Sequence, residues 1–185
     1  MTAVWSLLVY VVLPLWVVAG FLDYLCHRAS DIEHATGARE SLIHWLMLTE
    51  VGVPLVLAVF FRINALILVL MIVCLIAHEV TGYLDLKIAM ATRQVTIFEH
   101  QVHSFLEILP FTAVLLVMAL HWPQTQALFG LGHEPADFSL GPKQIPRWGE
   151  ILPPGAAFLL FVIAPYAEET LRGLKAKRIR AHPKR

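Results

Sequence analysis

Five long runs of apolar residues are the feature that most limits how this chain of 185 residues can fold. A helix needs about 20 apolar residues to cross the hydrocarbon core of a bilayer, and each run is close to that length. The runs lie at 3–25, 42–61, 63–84, 103–121 and 152–170. Hydrophobic residues make up 58% of the chain, against about 45–50% in an ordinary soluble domain. The sequence therefore predicts an all-α integral membrane bundle of about five transmembrane helices, folded as a single domain over residues 1–185.

The distribution of lysine and arginine predicts how this bundle is oriented. Cytoplasmic loops of membrane proteins carry an excess of basic residues. With the N terminus outside, eleven of the fourteen basic residues fall inside, and the outside keeps only Arg62, Lys143 and Arg147. We therefore expect an N-out, C-in topology, with a largely non-helical outer loop over 122–150 and a basic cytoplasmic tail over 172–185. A bacterial protein of this kind would lie in the inner membrane.

Acidic residues and histidines gather at the ends of the apolar runs that this topology places on the cytoplasmic side. Ionisable groups at membrane depth are costly and persist where they are paired, metal-bound or functional. Helical geometry puts several of them on shared faces, as for the i, i+4 pairs Asp23 with His27 and Glu40 with His44. The thirteen residues are Asp23, His27, Glu33, His34, Glu40, His44, His78, Glu79, Asp85, Glu99, His100, His103 and Glu107.

These residue types predict a metal site, with a solvated polar face as the alternative. Imidazole together with carboxylate favours iron, zinc or manganese over metals that prefer soft ligands. Six imidazoles exceed the needs of one tetrahedral zinc ion, so we expect two metal ions, iron before zinc. The expected ligands are His27, His34, His44, His78, His100 and His103, joined by Glu40, Glu99 and Glu107, which are also the candidate catalytic residues. The expected orienting partners of these imidazoles are Asp23, Glu33, Glu79 and Asp85.

Part of the chain resembles a family of membrane oxygenases. The run Leu22-Asp23-Tyr24-Leu25-Cys26-His27-Arg28-Ala29-Ser30 is similar to the first histidine box of the fatty acid hydroxylase/sterol desaturase superfamily, where an aspartate precedes a His-Arg pair at a helix end. Ala77-His78-Glu79 and 98–103 are similar to later boxes of the wider membrane desaturase group. The resemblance, over 22–107, implies histidine-bound di-iron on the cytoplasmic side. No adjacent His-His pair occurs, so carboxylates such as Glu40 would replace missing imidazoles.

The resulting functional hypothesis is a di-iron oxidoreductase that hydroxylates or desaturates a lipid-like substrate. Its expected partners are the lipid bilayer, a hydrophobic small molecule and a separate electron donor, because the sequence has no flavin, nicotinamide or ferredoxin motif. Net formal charge is zero, so binding to nucleic acid is not expected. Three alternatives stay open: a zinc-dependent membrane hydrolase with Glu79, Glu99 or Glu107 as base, a metal transporter, and a b-type haem protein that uses His44 or His78.

Overall fold

The protein is described here by a computed structural model that covers residues 2–35, 38–144 and 148–181. Five helices in these ranges are long and apolar enough to cross a membrane, which confirms the predicted all-α bundle. Helices α1 to α4 are Ala3–Ala29, Ala38–Phe60, Ala65–Thr92 and Ile97–Leu120. Helix α5 runs on without a break through Trp148–Phe158, Leu159–Ile163 and Ala164–Ala181. One π-helical turn interrupts α1 at Leu8–Val12, and another interrupts α5 at Leu159–Ile163.

Helices α3 and α4 extend beyond the apolar runs that predicted them. The predicted spans ended at residue 84 and began at residue 103, whereas α3 continues to Thr92 and α4 begins at Ile97. The Thr96 side chain caps α4 by accepting a hydrogen bond from the backbone N–H of Glu99 at 3.1 Å. Such a cap satisfies an N–H group that has no partner within the helix. These extra turns carry Asp85 and Lys87 of α3 and Glu99 and His100 of α4.

The five helices pack as an antiparallel bundle with two different ends. Helix α2 packs most extensively against α3, α1 packs against α4, and α5 lies against α1 and α2. We call the end where α1, α3 and α5 finish and α2 and α4 begin the polar end. The apolar core lies away from it and includes Leu8, Val12, Leu68, Met71 and Val117.

The opposite end is closed by the segment between α4 and α5. This segment begins with a short helix, Trp122–Leu128, and continues without helix over 129–144. The backbone N–H of Arg62 donates to the carbonyl of Gly141 at 2.8 Å. The Asn64 side chain donates to the carbonyl of Ser139 at 2.7 Å. Within the predicted loop 122–150, residues 129–144 are therefore non-helical, whereas 122–128 form the short helix and 148–150 begin α5. The non-helical part is hydrogen-bonded to the α2–α3 turn.

Candidate metal centre

Eight ionisable side chains from all five helices come together at the polar end, each less than a tenth exposed. We call them the cluster. Its members are Asp23 and His27 of α1, Glu40 and His44 of α2, Asp85 of α3, Glu99 and His103 of α4, and Glu169 of α5. Buried charges of this kind persist when they are paired or bind a metal.

Glu169 holds two of the imidazoles. Its Oε2 lies 3.0 Å from Nδ1 of His27, and its Oε1 lies 3.0 Å from Nδ1 of His44. The hydroxyl of Ser41 also donates to Oε1, at 2.9 Å. Because a carboxylate accepts, both Nδ1 atoms donate, and in the neutral imidazoles both Nε2 atoms keep a lone pair. A carboxylate behind an imidazole is the usual support of metal-binding histidines.

The two imidazoles held by Glu169 are stacked and face the same region. Their ring centroids are 4.6 Å apart and their planes differ by 7°. Nε2 of His27 lies 3.4 Å from Asp23 Oδ1, and Nε2 of His44 lies 3.4 Å from Asp85 Oδ1. Of these four atoms, both Nε2 atoms and Asp85 Oδ1 make no hydrogen bond within the described residues. Two ligands of a tetrahedral ion with bonds of 2.0–2.1 Å stand about 3.3 Å apart, so these separations suit atoms that share an ion.

Further ligand-type atoms surround His27. Its Nε2 lies 3.8 Å from Glu99 Oε1 and 3.9 Å from Glu40 Oε1. The Nε2 atom of His103 approaches Asp23 Oδ1 to 2.9 Å. Two groups therefore have ligand atoms within 4.8 Å of one another: Asp23, His27 and His103 form one, and His27, Glu40 and His44 form the other. Because the two groups share His27, they correspond to two neighbouring candidate positions for a metal ion.

Buried atoms without partners support the same interpretation. Native proteins leave few buried polar atoms unsatisfied, and each exception calls for an explanation such as an ion. Three ligand-type atoms of the cluster are buried and have no hydrogen-bond partner in the part of the chain that the structure describes: His27 Nε2, His44 Nε2 and Asp85 Oδ1. The residues present therefore fit a metal centre.

Arg93, in the connection between α3 and α4, is the cation that contacts the cluster. One of its terminal nitrogens lies 2.9 Å from Glu40 Oε1 and 2.5 Å from Glu99 Oε1. Burial alone would lower the pKa of Arg93, but its hydrogen bonds to Glu99 and Glu40 raise this pKa above its usual range. Arg93 therefore stays charged. Among the side chains that the structure describes, one guanidinium faces five buried carboxylates, which leaves four negative charges when the imidazoles are neutral. Two divalent ions would balance these charges.

The structure brings together only part of the predicted ligand set. His27, His44, His103, Glu40 and Glu99 lie in the cluster. Asp23 and Asp85, predicted to orient the imidazoles, each place Oδ1 at 3.4 Å from an Nε2 atom, Asp23 from that of His27 and Asp85 from that of His44. The assembled imidazoles therefore number three in the described residues, and two aspartates stand in ligand positions.

The other predicted site residues lie elsewhere or cannot be placed. His100 is exposed. His78 and Glu107 lie along the cavity described below, and Glu79 is partly buried on the same stretch of α3. Glu33 pairs with Arg172 at 2.5 Å. The side chain of His34 lies outside the described residues, as do residues 182–185 of the predicted basic tail.

Three residues of the site were missed by the sequence reasoning. Glu169 and Tyr166 come from the end of α5, where the Tyr166 hydroxyl donates to Asp23 Oδ2 at 3.3 Å. Arg93 comes from the α3–α4 connection. A signal was present, since Glu168 and Glu169 stand at the same end of the fifth apolar run as the other acidic residues. The pattern of histidines gave no indication of these residues, because α5 has no histidine within its described length.

An apolar cavity of about 170 Å³ leads from the cluster into the bundle. Asp23, His44, Asp85, His103 and Tyr166 form its polar end. Its walls come mainly from apolar side chains, including Trp16, Val17, Leu48, Val51, Leu55 and Phe158. Pockets with apolar walls and a few converging polar groups are the usual form of small-molecule sites. The arrangement suits a molecule with an apolar chain and a reacting atom beside the cluster.

Fold and site together define the class of this protein. It is an all-α bundle with five helices able to span a membrane, and it buries a histidine–carboxylate cluster at one end of an apolar cavity. No protein-family model, curated protein or solved structure matches the chain. Its function is therefore argued from the site alone.

Proposed function

We propose that the protein is a membrane-embedded di-metal oxidoreductase that hydroxylates or desaturates the apolar chain of a lipid-like molecule. The observation that carries this proposal is the opening of the unpartnered ligand atoms onto an apolar cavity. Iron is the expected metal, because histidine and carboxylate ligands suit it and oxidation of an unactivated carbon needs a redox-active cofactor. Electrons would come from a separate donor. The distribution of basic residues supports a cytoplasmic location of the cluster.

The residues of the chain have distinct tasks in this proposal. Glu169 fixes the tautomers of His27 and His44, so that their Nε2 atoms are available as ligands. Asp23 and Asp85 supply carboxylate oxygens. The Tyr166 hydroxyl borders the cavity and holds a proton beside Asp23. The apolar walls exclude water and align the chain of the substrate. Bound iron would supply the redox chemistry that none of these side chains provides.

A zinc-dependent hydrolase is the second candidate, because the structure assembles three imidazoles. Three protein ligands and a water molecule are the usual coordination of catalytic zinc, which lowers the pKa of that water to about 7. Glu99, whose Oε1 lies 3.8 Å from His27 Nε2 and contacts Arg93, would then act as the base. This alternative predicts activity without oxygen.

Elemental analysis of protein purified without a metal-affinity step tests the proposal. We expect two iron ions per chain, strong depletion in His44→Ala, and full content in His100→Ala, whose side chain is exposed. With a reductant and a membrane lipid extract, the wild type should consume oxygen and form a hydroxylated or desaturated product. Zinc in place of iron, with turnover in the absence of oxygen, would support the hydrolase. Protein that takes up neither metal would refute both candidates.

A further inference from the structure

A second polar site, formed by Glu50 and His78, lies deeper in the bundle, and Pro110 determines which ring nitrogen of His78 carries the hydrogen. Pro110 has no N–H, so the carbonyl of Leu106, four residues earlier in α4, has no helical partner. The Nε2 atom of His78 lies 3.4 Å from that carbonyl oxygen. A carbonyl only accepts hydrogen bonds, so Nε2 carries the hydrogen in this contact. The lone pair of neutral His78 is therefore on Nδ1.

That lone pair faces a second acceptor. Nδ1 of His78 lies 3.9 Å from Glu50 Oε2, and both atoms are buried without a hydrogen-bond partner. The other carboxylate oxygen of Glu50 accepts from the Thr81 hydroxyl at 2.9 Å. No lysine or arginine in the described ranges forms an ion pair with Glu50. When His78 is neutral and Glu50 is ionised, the two facing acceptors fit a group that donates hydrogen bonds and carries positive charge.

His78 lines the same cavity as the cluster, and Glu50 lies behind it, with Oε2 at 3.9 Å from His78 Nδ1. His78 is 4% exposed and lines the cavity wall. It lies seven residues before Asp85 on one face of α3, about 10 Å along the helix axis. Glu107 also borders the cavity, near the position that a side chain on Gly82 would occupy. The pair therefore stands part of the way along the space assigned to the apolar chain.

We propose that Glu50 and His78 bind the protonated primary amine of a long-chain amphiphile that occupies this cavity. An ammonium group donates three hydrogen bonds and neutralises the carboxylate. A hydroxyl group donates one hydrogen bond and brings no charge, and a carboxylate would add repulsion. The apolar walls suit the chain attached to the amine. The inference that a long-chain amine is the substrate class rests on the proposed function.

Binding of terminally brominated long-chain amine, alcohol and carboxylic acid of equal length tests the inference. Trp16 lines the cavity, so bromine on a bound chain should quench its fluorescence, and Trp16→Phe identifies that part of the signal. The protein is used as purified, in zwitterionic nanodiscs, with its metal content measured in parallel. We expect saturable quenching by the amine at concentrations at least about tenfold below those needed for the alcohol or the acid.

Two variants separate recognition from folding. In Glu50→Gln the amide oxygen can still accept from Thr81, so the fold is kept. The NH₂ group donates to His78 Nδ1 and takes the position of the ammonium group. Pro110→Ala returns the carbonyl of Leu106 to its helix and frees His78. Both should weaken amine binding, the first at least about tenfold. Glu134→Gln removes a charge from an exposed position in the loop between α4 and α5 and serves as control.

The outcomes are distinguishable from those of the proposed function. Equal binding of amine and alcohol, or unchanged amine binding in Glu50→Gln, would overturn this inference while metal content stays as it was. Selective amine binding by a protein that holds no metal would support the inference and refute the oxidoreductase.

Discussion

Glu169→Gln is the substitution that tests the cluster most directly. The carboxylate accepts hydrogen bonds from Nδ1 of His27, Nδ1 of His44 and the hydroxyl of Ser41. An amide offers one accepting oxygen and one donating NH₂ group. The amide oxygen of Gln keeps more hydrogen bonds in the position of Oε1 than in that of Oε2, because at Oε1 it still accepts from His44 and Ser41. The NH₂ group then faces Nδ1 of His27, and two donors oppose each other.

The expected effect is a loss of metal affinity with little change in fold. To relieve the opposed donors, His27 moves its proton to Nε2 and loses the lone pair that faces the cluster. Because His27 belongs to both candidate ligand groups, both metal positions weaken. Removing a partner that orients a metal ligand typically costs about 10- to 100-fold in affinity. That range corresponds to about 1.4–2.8 kcal/mol.

The assay is competition for metal against a chelator of known affinity, and the matched control is Glu168→Gln. Glu168 is the neighbouring carboxylate, is 40% exposed in its side chain, and contacts Arg28, Arg172 and Tyr24. Its loss should leave metal affinity unchanged. Wild-type affinity in Glu169→Gln, or equal losses in the two variants, would refute the assignment of Glu169 as the support of the imidazoles.

Three further predictions concern neighbouring features. Arg93→Ala removes the guanidinium that contacts the buried carboxylates of Glu40 and Glu99, so metal-free protein should lose on the order of 3 kcal/mol of stability in denaturant titrations, and added metal should restore part of it. Gly82→Leu would extend into the cavity beside Met47, whose Cε lies 3.5 Å from the new Cβ; turnover should fall while elemental analysis finds unchanged metal. Asn64→Ala removes the cap of α3 and should cost about 1 kcal/mol, measured by thermal unfolding; no change would show that the cap bond is dispensable.

The spans could be predicted from sequence because bilayer thickness sets the length of an apolar helix. The helical turns that continue beyond the apolar runs could not be predicted from bilayer thickness. Hydropathy ends α3 near residue 84, yet the helix runs to Thr92, since its polar side chains pack against neighbouring helices. Asp85 is 3% exposed for this reason. Helix ends at the polar end are thus determined by tertiary packing.

The sequence predicted the residue types of the site better than it predicted which individual residues belong to it. Spacing on single helices correctly paired Asp23 with His27 and Glu40 with His44, because i, i+4 neighbours share a face. Spacing carries no information about which faces of different helices meet. Glu169 enters the cluster only because α5 packs against α1 and α2. His100 fits a histidine stripe on α4, but that part of the helix is exposed.

The two polar sites differ because each histidine has its other nitrogen engaged by a different partner. In the cluster, Glu169 binds Nδ1 of His27 and His44, so their Nε2 lone pairs converge with carboxylate oxygens. At His78 a carbonyl freed by Pro110 engages Nε2, so the lone pair on Nδ1 meets a single carboxylate. Several converging lone pairs suit a metal ion, whereas one imidazole beside one carboxylate suits a charged hydrogen-bond donor. If both proposals hold, the hydrogen-bond partner of the second ring nitrogen separates a metal ligand from a recognition residue in this bundle.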